Sequence, residues 1–165
     1  MNNIYLVGFM ATGKTSVGKA LAKRLKRQFA DIDELIELRQ KRTISDIFTK
    51  YGEPYFRKVE KETLKQAATE DSFIYACGGG IVLDKDNLQT MKQTGKIICL
   101  TARPQTILNR VGKTSYRPLL AVPDPKKQID LLLKLRQPFY TQADKTIDTT
   151  KLSVGQVVTR ILKII

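Results

Sequence analysis

Histidine and tryptophan are absent from the 165 residues, and cysteine occurs only twice. Without histidine, Ser-His-Asp and Cys-His nucleophilic catalysis are excluded, and a common zinc ligand is missing as well. Carboxylates, lysines and arginines are left to carry the chemistry. Cys77 and Cys99 stand in short apolar runs, FIYAC and KIICL, without C-x-x-C spacing. That placement reads as two small core residues and excludes a disulfide framework. Long apolar stretches are lacking too: KIICL falls far short of the roughly 20 residues that a membrane-spanning helix needs. The chain reaches Gly8 with neither a basic region nor a signal-peptide core. A cytoplasmic protein without a membrane partner is expected. Acidic residues are scarce beside basic ones, 16 against 29, for a net charge of +13. The surplus suits anionic partners, whether nucleic acid, phosphorylated metabolites or carboxylates, and does not choose among them. No repeat or Ser/Gly linker divides the chain, and its 42% apolar content is enough for one domain over residues 1–165 with a hydrophobic core.

Ile4 to Val7 reads as a buried strand, and Lys14 to Arg27 as a helix whose Val17, Leu21 and Leu25 form one apolar stripe. Further strand-like runs fall at Phe73 to Cys77, Lys96 to Leu100 and Lys145 to Ile147, separated by segments of helical period. The alternation implies an α/β fold with a parallel sheet and helices on both faces. Ser153 to Ile165 has the apolar spacing of a closing helix. In Gly112 to Pro125 a glycine and three prolines prevent a long helix, which predicts a lid or binding loop.

Gly8, Gly13, Lys14 and Thr15 complete G-x-x-x-x-G-K-[ST] within VGFMATGKTSVGKAL, after a strand and before a helix. In that context backbone N–H groups surround phosphates, Lys14 adds positive charge at the β and γ groups, and the Thr15 hydroxyl can ligate magnesium. No later apolar strand ends in an obvious second metal carboxylate. The nearest paired acids are Asp31 and Asp33 in FADIDELIE, which in extended geometry point the same way at the sheet edge where ligands gather.

The ordered set GFMATGKT, FADIDELIE, YGEPYFRKVE, ACGGG, YRPLL and LRQPFY closely resembles shikimate kinase and spans nearly the whole chain. The resemblance implies a three-layer α/β/α fold of the P-loop kinase type, with a central five-stranded parallel sheet and a mobile lid. It implies transfer of the γ-phosphoryl of ATP to the 3-hydroxyl of shikimate, with Mg²⁺, by a cytoplasmic monomer in aromatic amino-acid biosynthesis. Gly8, Ala11, Thr12, Gly13, Lys14, Thr15 and Ser16 would hold ATP. Arg110 would pack against adenine, and Arg117 would fold over the γ-phosphate. Arg57 and Arg136 match the arginines that hold the acceptor carboxylate, a task suited to the guanidinium fork. Glu60 and Gly78, Gly79 and Gly80 would complete the acceptor site. Asp33 would orient the acceptor hydroxyl, and Asp31, with Thr15, would serve the metal through water. Lys14, Asp33 and Arg117 are thus the expected catalytic residues.

Each of these residues also has an ordinary structural reading. Arg57 could be a solvated helix arginine, and Asp31 and Asp33 a strand-end turn with a helix cap. The alternation of glycine and alanine matters in one place: Ala11 stands where the family often has glycine, so this position either avoids a strongly positive φ or tolerates it at a cost. The competing functions are another small P-loop kinase, for gluconate or a nucleoside monophosphate, and a nucleic-acid-binding protein that uses ATP as a ligand. The last is disfavoured because no RNA or DNA module is recognisable and the aromatics are not interleaved with basic residues.

Overall fold

The computed structural model describes residues 2–111, 120 and 122–165. Five strands, β1 (Asn3–Val7), β2 (Gln28–Asp31), β3 (Phe73–Ala76), β4 (Gly95–Thr101) and β5 (Lys145–Asp148), form one parallel sheet in the order β2-β3-β1-β4-β5. Ile4 pairs with Ile74 on one side and Lys96 on the other, so β1 lies at the centre. Among the described residues seven α-helices connect and follow the strands: α1 (Lys14–Leu25), α2 (Ile32–Gln40), α3 (Ile44–Ala67), α4 (Lys85–Thr94), α5 (Pro104–Val111), α6 (Pro125–Tyr140) and α7 (Val154–Leu162).

The period-two alternation of the strands divides the core. Ile4 and Leu6 of β1 pack with Val17 and Leu21 of α1 and with Val157 and Ile161 of α7. Tyr5 and Val7 face the other way, toward α3, α4 and α6 through Leu64, Met91 and Ile129. This makes the three layers, and both cysteines are buried on the second of these faces. Burial pushes the Cys99 thiol up to about 11 and the Cys77 thiol well above its ordinary value, which leaves both as inert core residues. Among the described residues no helix is long and apolar enough to cross a membrane.

Two features depart from the plain strand-and-helix reading. FADID is not extended throughout. The strand stops at Asp31, whose side chain accepts the Asp33 N–H at 3.0 Å as the N-cap of α2, and Ile32 and Ile36 are then buried at helical spacing. An N-cap aspartate followed by a helical apolar stripe favours the turn into helix. Asp31 and Asp33 consequently do not share one strand face as expected. The second feature is a kink in α3 at Gly52, where φ 78 and ψ 173 separate two helical halves and Pro54 falls in the first turn of the second. The expected lid, residues 112–125, lies outside the described residues apart from Leu120 and 122–125.

Candidate active site

The loop between β1 and α1 is shaped by backbone constraints. Gly8 has φ 133, and a Cβ there would run into the carbonyl oxygen of Leu100, so any other residue would push β1 away from β4. Gly13 caps α1 from the left-handed region, no side chain caps the helix and no acid stands in its first turn. The amino-terminal amides of α1 thus keep their partial positive charge for an anion. The Lys14 ammonium sits over the same loop, donating to the carbonyls of Gly8 at 2.9 Å and Phe9 at 2.8 Å. Thr12 is buried and its hydroxyl donates to Phe9 O, whereas Ser16 is exposed in the opening turns of the helix. Ala11 has φ 59, so this position accepts the left-handed conformation rather than avoiding it.

At the edge of the loop, the Thr15 hydroxyl donates to Asp31 Oδ2 at 2.8 Å. The two residues expected to serve the metal are therefore neighbours. Hard oxygen donors of one hydroxyl and one carboxylate fit a magnesium ion that keeps several waters and takes further ligands from phosphate. Among the described residues no three His, Cys, Asp or Glu side chains cluster as a protein-only metal cage.

Beside the loop lies a pocket of about 120 Å³. Asp33, Arg57, Glu60, Gly78, Gly79, Gly80 and Arg136 all line it. They come from α2, α3, the turn after β3 and α6, and parallel strand order brings these elements together. The turn Gly78–Gly80 runs close beneath the charged groups. A Cβ on Gly78 would stand 2.9 Å from Asp33 Oδ1 and 3.0 Å from Glu60 Oε1, one on Gly79 would stand 3.3 Å from Arg136 Nη1, and one on Gly80 would collide with the Arg57 guanidinium. The acidic and basic groups are packed against backbone that has no room for side chains.

Arg57 is held from two sides. Its Nη1 donates to Glu60 Oε2 at 2.8 Å, and its Nε and Nη2 donate to Glu53 Oε1 at 3.1 and 3.0 Å. Arg136, although charged, is only 6% exposed and lies 5.7 Å over the Phe9 ring. Glu60 is 1% exposed, and its Oε1 has no hydrogen-bond partner among the described residues. Burial pushes its carboxyl up to about 7, against the pull of Arg57 and with a further push from Asp33.

Arg110 does not reach this pocket. Its guanidinium donates to Ala11 O at 3.1 Å and to the hydroxyl and carbonyl of Thr149, just after β5, at 3.2 and 3.0 Å. Arg117 lies outside the described residues. Met10, Ile44, Phe48 and Phe56 also line the pocket and were not singled out from sequence. Phe48 and Phe56 pack at 4.7 Å across the Gly52 kink, and only the position of Phe56 next to Arg57 hinted at it. Thr149, which touches the loop, carried no signal in the sequence.

A pocket with two guanidinium groups and two carboxylates, next to a phosphate cradle, can orient a small hydroxylated acid against a bound nucleotide. The sequence model of a protein family described as shikimate kinase matches residues 10–165. A shikimate kinase of Thermoanaerobacter pseudethanolicus is 47% identical over 163 residues, covering 99% of this chain and 95% of that protein. The solved shikimate kinase of Acinetobacter baumannii, in complex with shikimate, superposes with a TM-score of 0.95 at 37% identity, covering 99% of this chain and 92% of that one. The shikimate kinase of Aquifex aeolicus gives 0.83 at 33% identity, covering 98% and 94%.

Proposed function

Because the chain belongs to the shikimate kinase family, we propose how its residues divide the work of moving the γ-phosphoryl of ATP to shikimate. The protein is an ATP-dependent phosphotransferase that acts on a shikimate hydroxyl. The observation that carries the division of labour is the convergence of Asp33, Arg57, Glu60 and Arg136 on one pocket beside the phosphate loop.

Arg57 and Arg136 bind the shikimate carboxylate, and the Gly78–Gly80 turn lets the ring approach the backbone. Glu60 and Glu53 hold the Arg57 guanidinium so that little side-chain freedom is lost on binding. Asp33, displaced from Asp31 by the turn into α2, orients the 3-hydroxyl and takes its proton late in the transfer. The transition state is loose, so placement and charge neutralisation matter more than strong proton abstraction. The Gly8–Gly13 amides and Lys14 hold the phosphates. Lys14 exchanges its contacts with Gly8 O and Phe9 O for phosphate oxygens. Arg110 lies at the adenine end of the loop, and Arg117 belongs with the γ-phosphate. Thr15 and Asp31 would hold Mg²⁺, which when bound would neutralise phosphate charge. One kinase domain over residues 1–165, acting as a cytoplasmic monomer, completes the reading.

A coupled ADP-release assay with shikimate, gluconate and nucleoside monophosphates offered separately tests it. ADP release should depend on shikimate alone. Release driven by gluconate or a nucleotide, with shikimate inert, would overturn the assignment.

A further inference from the structure

Thr149 follows β5, is 2% exposed, and meets three parts of the site at once. Its N–H donates to Thr101 O at 2.8 Å. Its hydroxyl lies 3.1 Å from Thr12 O and 3.0 Å from Thr101 O, and accepts from Arg110 Nη1 at 3.2 Å. Its carbonyl accepts from Arg110 Nη2 at 3.0 Å, while Arg110 Nη1 also donates to Ala11 O at 3.1 Å. A hydroxyl has one proton and two acceptor lone pairs. Thr12 O and Thr101 O both lie within reach of that one proton.

The carbonyls of Ala11 and Thr12 are thus both tied down on the outer side of the loop, one by Arg110 and the other by Thr149. A peptide is planar and trans, so fixing a C=O fixes the N–H of the next residue in the opposite direction. Holding Ala11 O sets the Thr12 N–H, and holding Thr12 O sets the Gly13 N–H. Ala11 stands in a left-handed conformation that is costly for a residue with a Cβ, and persists where its surroundings over-determine it. We infer that Thr149 is a positioning residue for the phosphate cradle: its hydroxyl holds the outer carbonyls of the loop and the Arg110 guanidinium in one network, so that the loop amides face the nucleotide before it binds.

The inference rests on the assignment of the loop to ATP phosphates. Calorimetric titrations of magnesium-ATP and of shikimate, done separately on wild type, Thr149→Val and Thr149→Ser, test it. Thr149→Val keeps the shape and removes the hydroxyl. It should bind ATP about tenfold more weakly, as for one lost hydrogen bond, with shikimate affinity within about twofold. Thr149→Ser should restore ATP binding to within about threefold of wild type. ATP affinity unchanged in Thr149→Val, equal loss of both ligands, or failure of serine to rescue would overturn the inference. If Thr149→Val does not fold, amide hydrogen exchange on the wild type decides. ATP should protect residues 8–13 and 148–150 together, whereas protection of the loop alone refutes the coupling. A wild type that binds ATP and ignores shikimate would overturn the acceptor assignment only, and the Thr149 contrast would still be read in ATP.

Discussion

Asp31 and Asp33 are two residues apart in sequence, yet the start of α2 sends them to different neighbours. Asp31 accepts from Thr15 and caps the helix, while Asp33 lines the pocket beside the phosphate loop. Asn is as good an N-cap as Asp, so Asp31→Asn should keep the fold and lose the charge. Its magnesium requirement at fixed ATP and shikimate is expected to rise. Asp33→Asn should leave magnesium-ATP binding nearly intact while turnover collapses. Indistinguishable magnesium titrations for the two variants would refute the division. Glu60 gives a second prediction through its carboxyl, raised by burial to about 7 from the ordinary 4.5. The native state then binds more protons than the unfolded chain between these values, so this residue's contribution to stability is present below about pH 4.5 and lost as pH rises through about 7. Thermal melts of wild type and Glu60→Gln across pH 4 to 8 (roughly that window) should converge on wild-type behaviour at the acid end only. A bound carboxylate beside Arg57 raises Glu60 further, so shikimate should bind with proton uptake near neutrality. Calorimetry in buffers of different ionisation enthalpy reads that uptake, and its absence would remove Glu60 from the binding equilibrium.

At the scale of elements, the kink in α3 decides where the pocket is. The first half of the helix supplies Ile44 and Phe48, and the second supplies Phe56, Arg57 and Glu60. Gly52 joins them at φ 78 and ψ 173, a region that is essentially restricted to glycine. Gly52→Ala is expected to cost about 1 to 3 kcal/mol of stability, measured by denaturant unfolding. Because the strain falls between the two pocket-lining halves, shikimate affinity should drop in the folded variant while ATP affinity changes little. A variant with equal losses for both ligands would show that the kink has no particular link to the acceptor.

At the scale of the whole molecule, the ligand sites lie where elements from across the chain meet at one end of the sheet. Each ligand should therefore stabilise the native state by mass action, since neither site exists in the unfolded chain. At about 100 times its dissociation constant, shikimate should add about 2.7 kcal/mol. For a chain of this length that is on the order of 5 to 11 °C in melting temperature, readable by scanning calorimetry. Gluconate at the same concentration should move the melt little. No shift with shikimate would contradict the pocket assignment at the level of binding, independently of turnover.

What the sequence determined alone was whatever a few consecutive residues specify. The phosphate loop was legible because Gly8 and Gly13 meet backbone demands within one turn of chain, and β1, β3, β4 and β5 because apolar runs recur between helical periods. The two cysteines were legible as core for the same reason. Family resemblance, rather than local chemistry, singled out Arg57, Glu60 and Arg136, which are ordinary helix residues until the sheet order β2-β3-β1-β4-β5 sets β3 beside β1 and brings α3 and α6 to one turn of glycines. Only the tertiary structure decided that the Asp31 and Asp33 side chains go to different neighbours, that Ala11 takes a left-handed φ, and that Met10, Phe48 and Phe56 wall the pocket. Only there does Thr149 meet the loop, because its partners Thr12, Thr101 and Arg110 are distant in sequence. Such contacts arise from packing between elements, and periodicity and motif spacing carry no record of them.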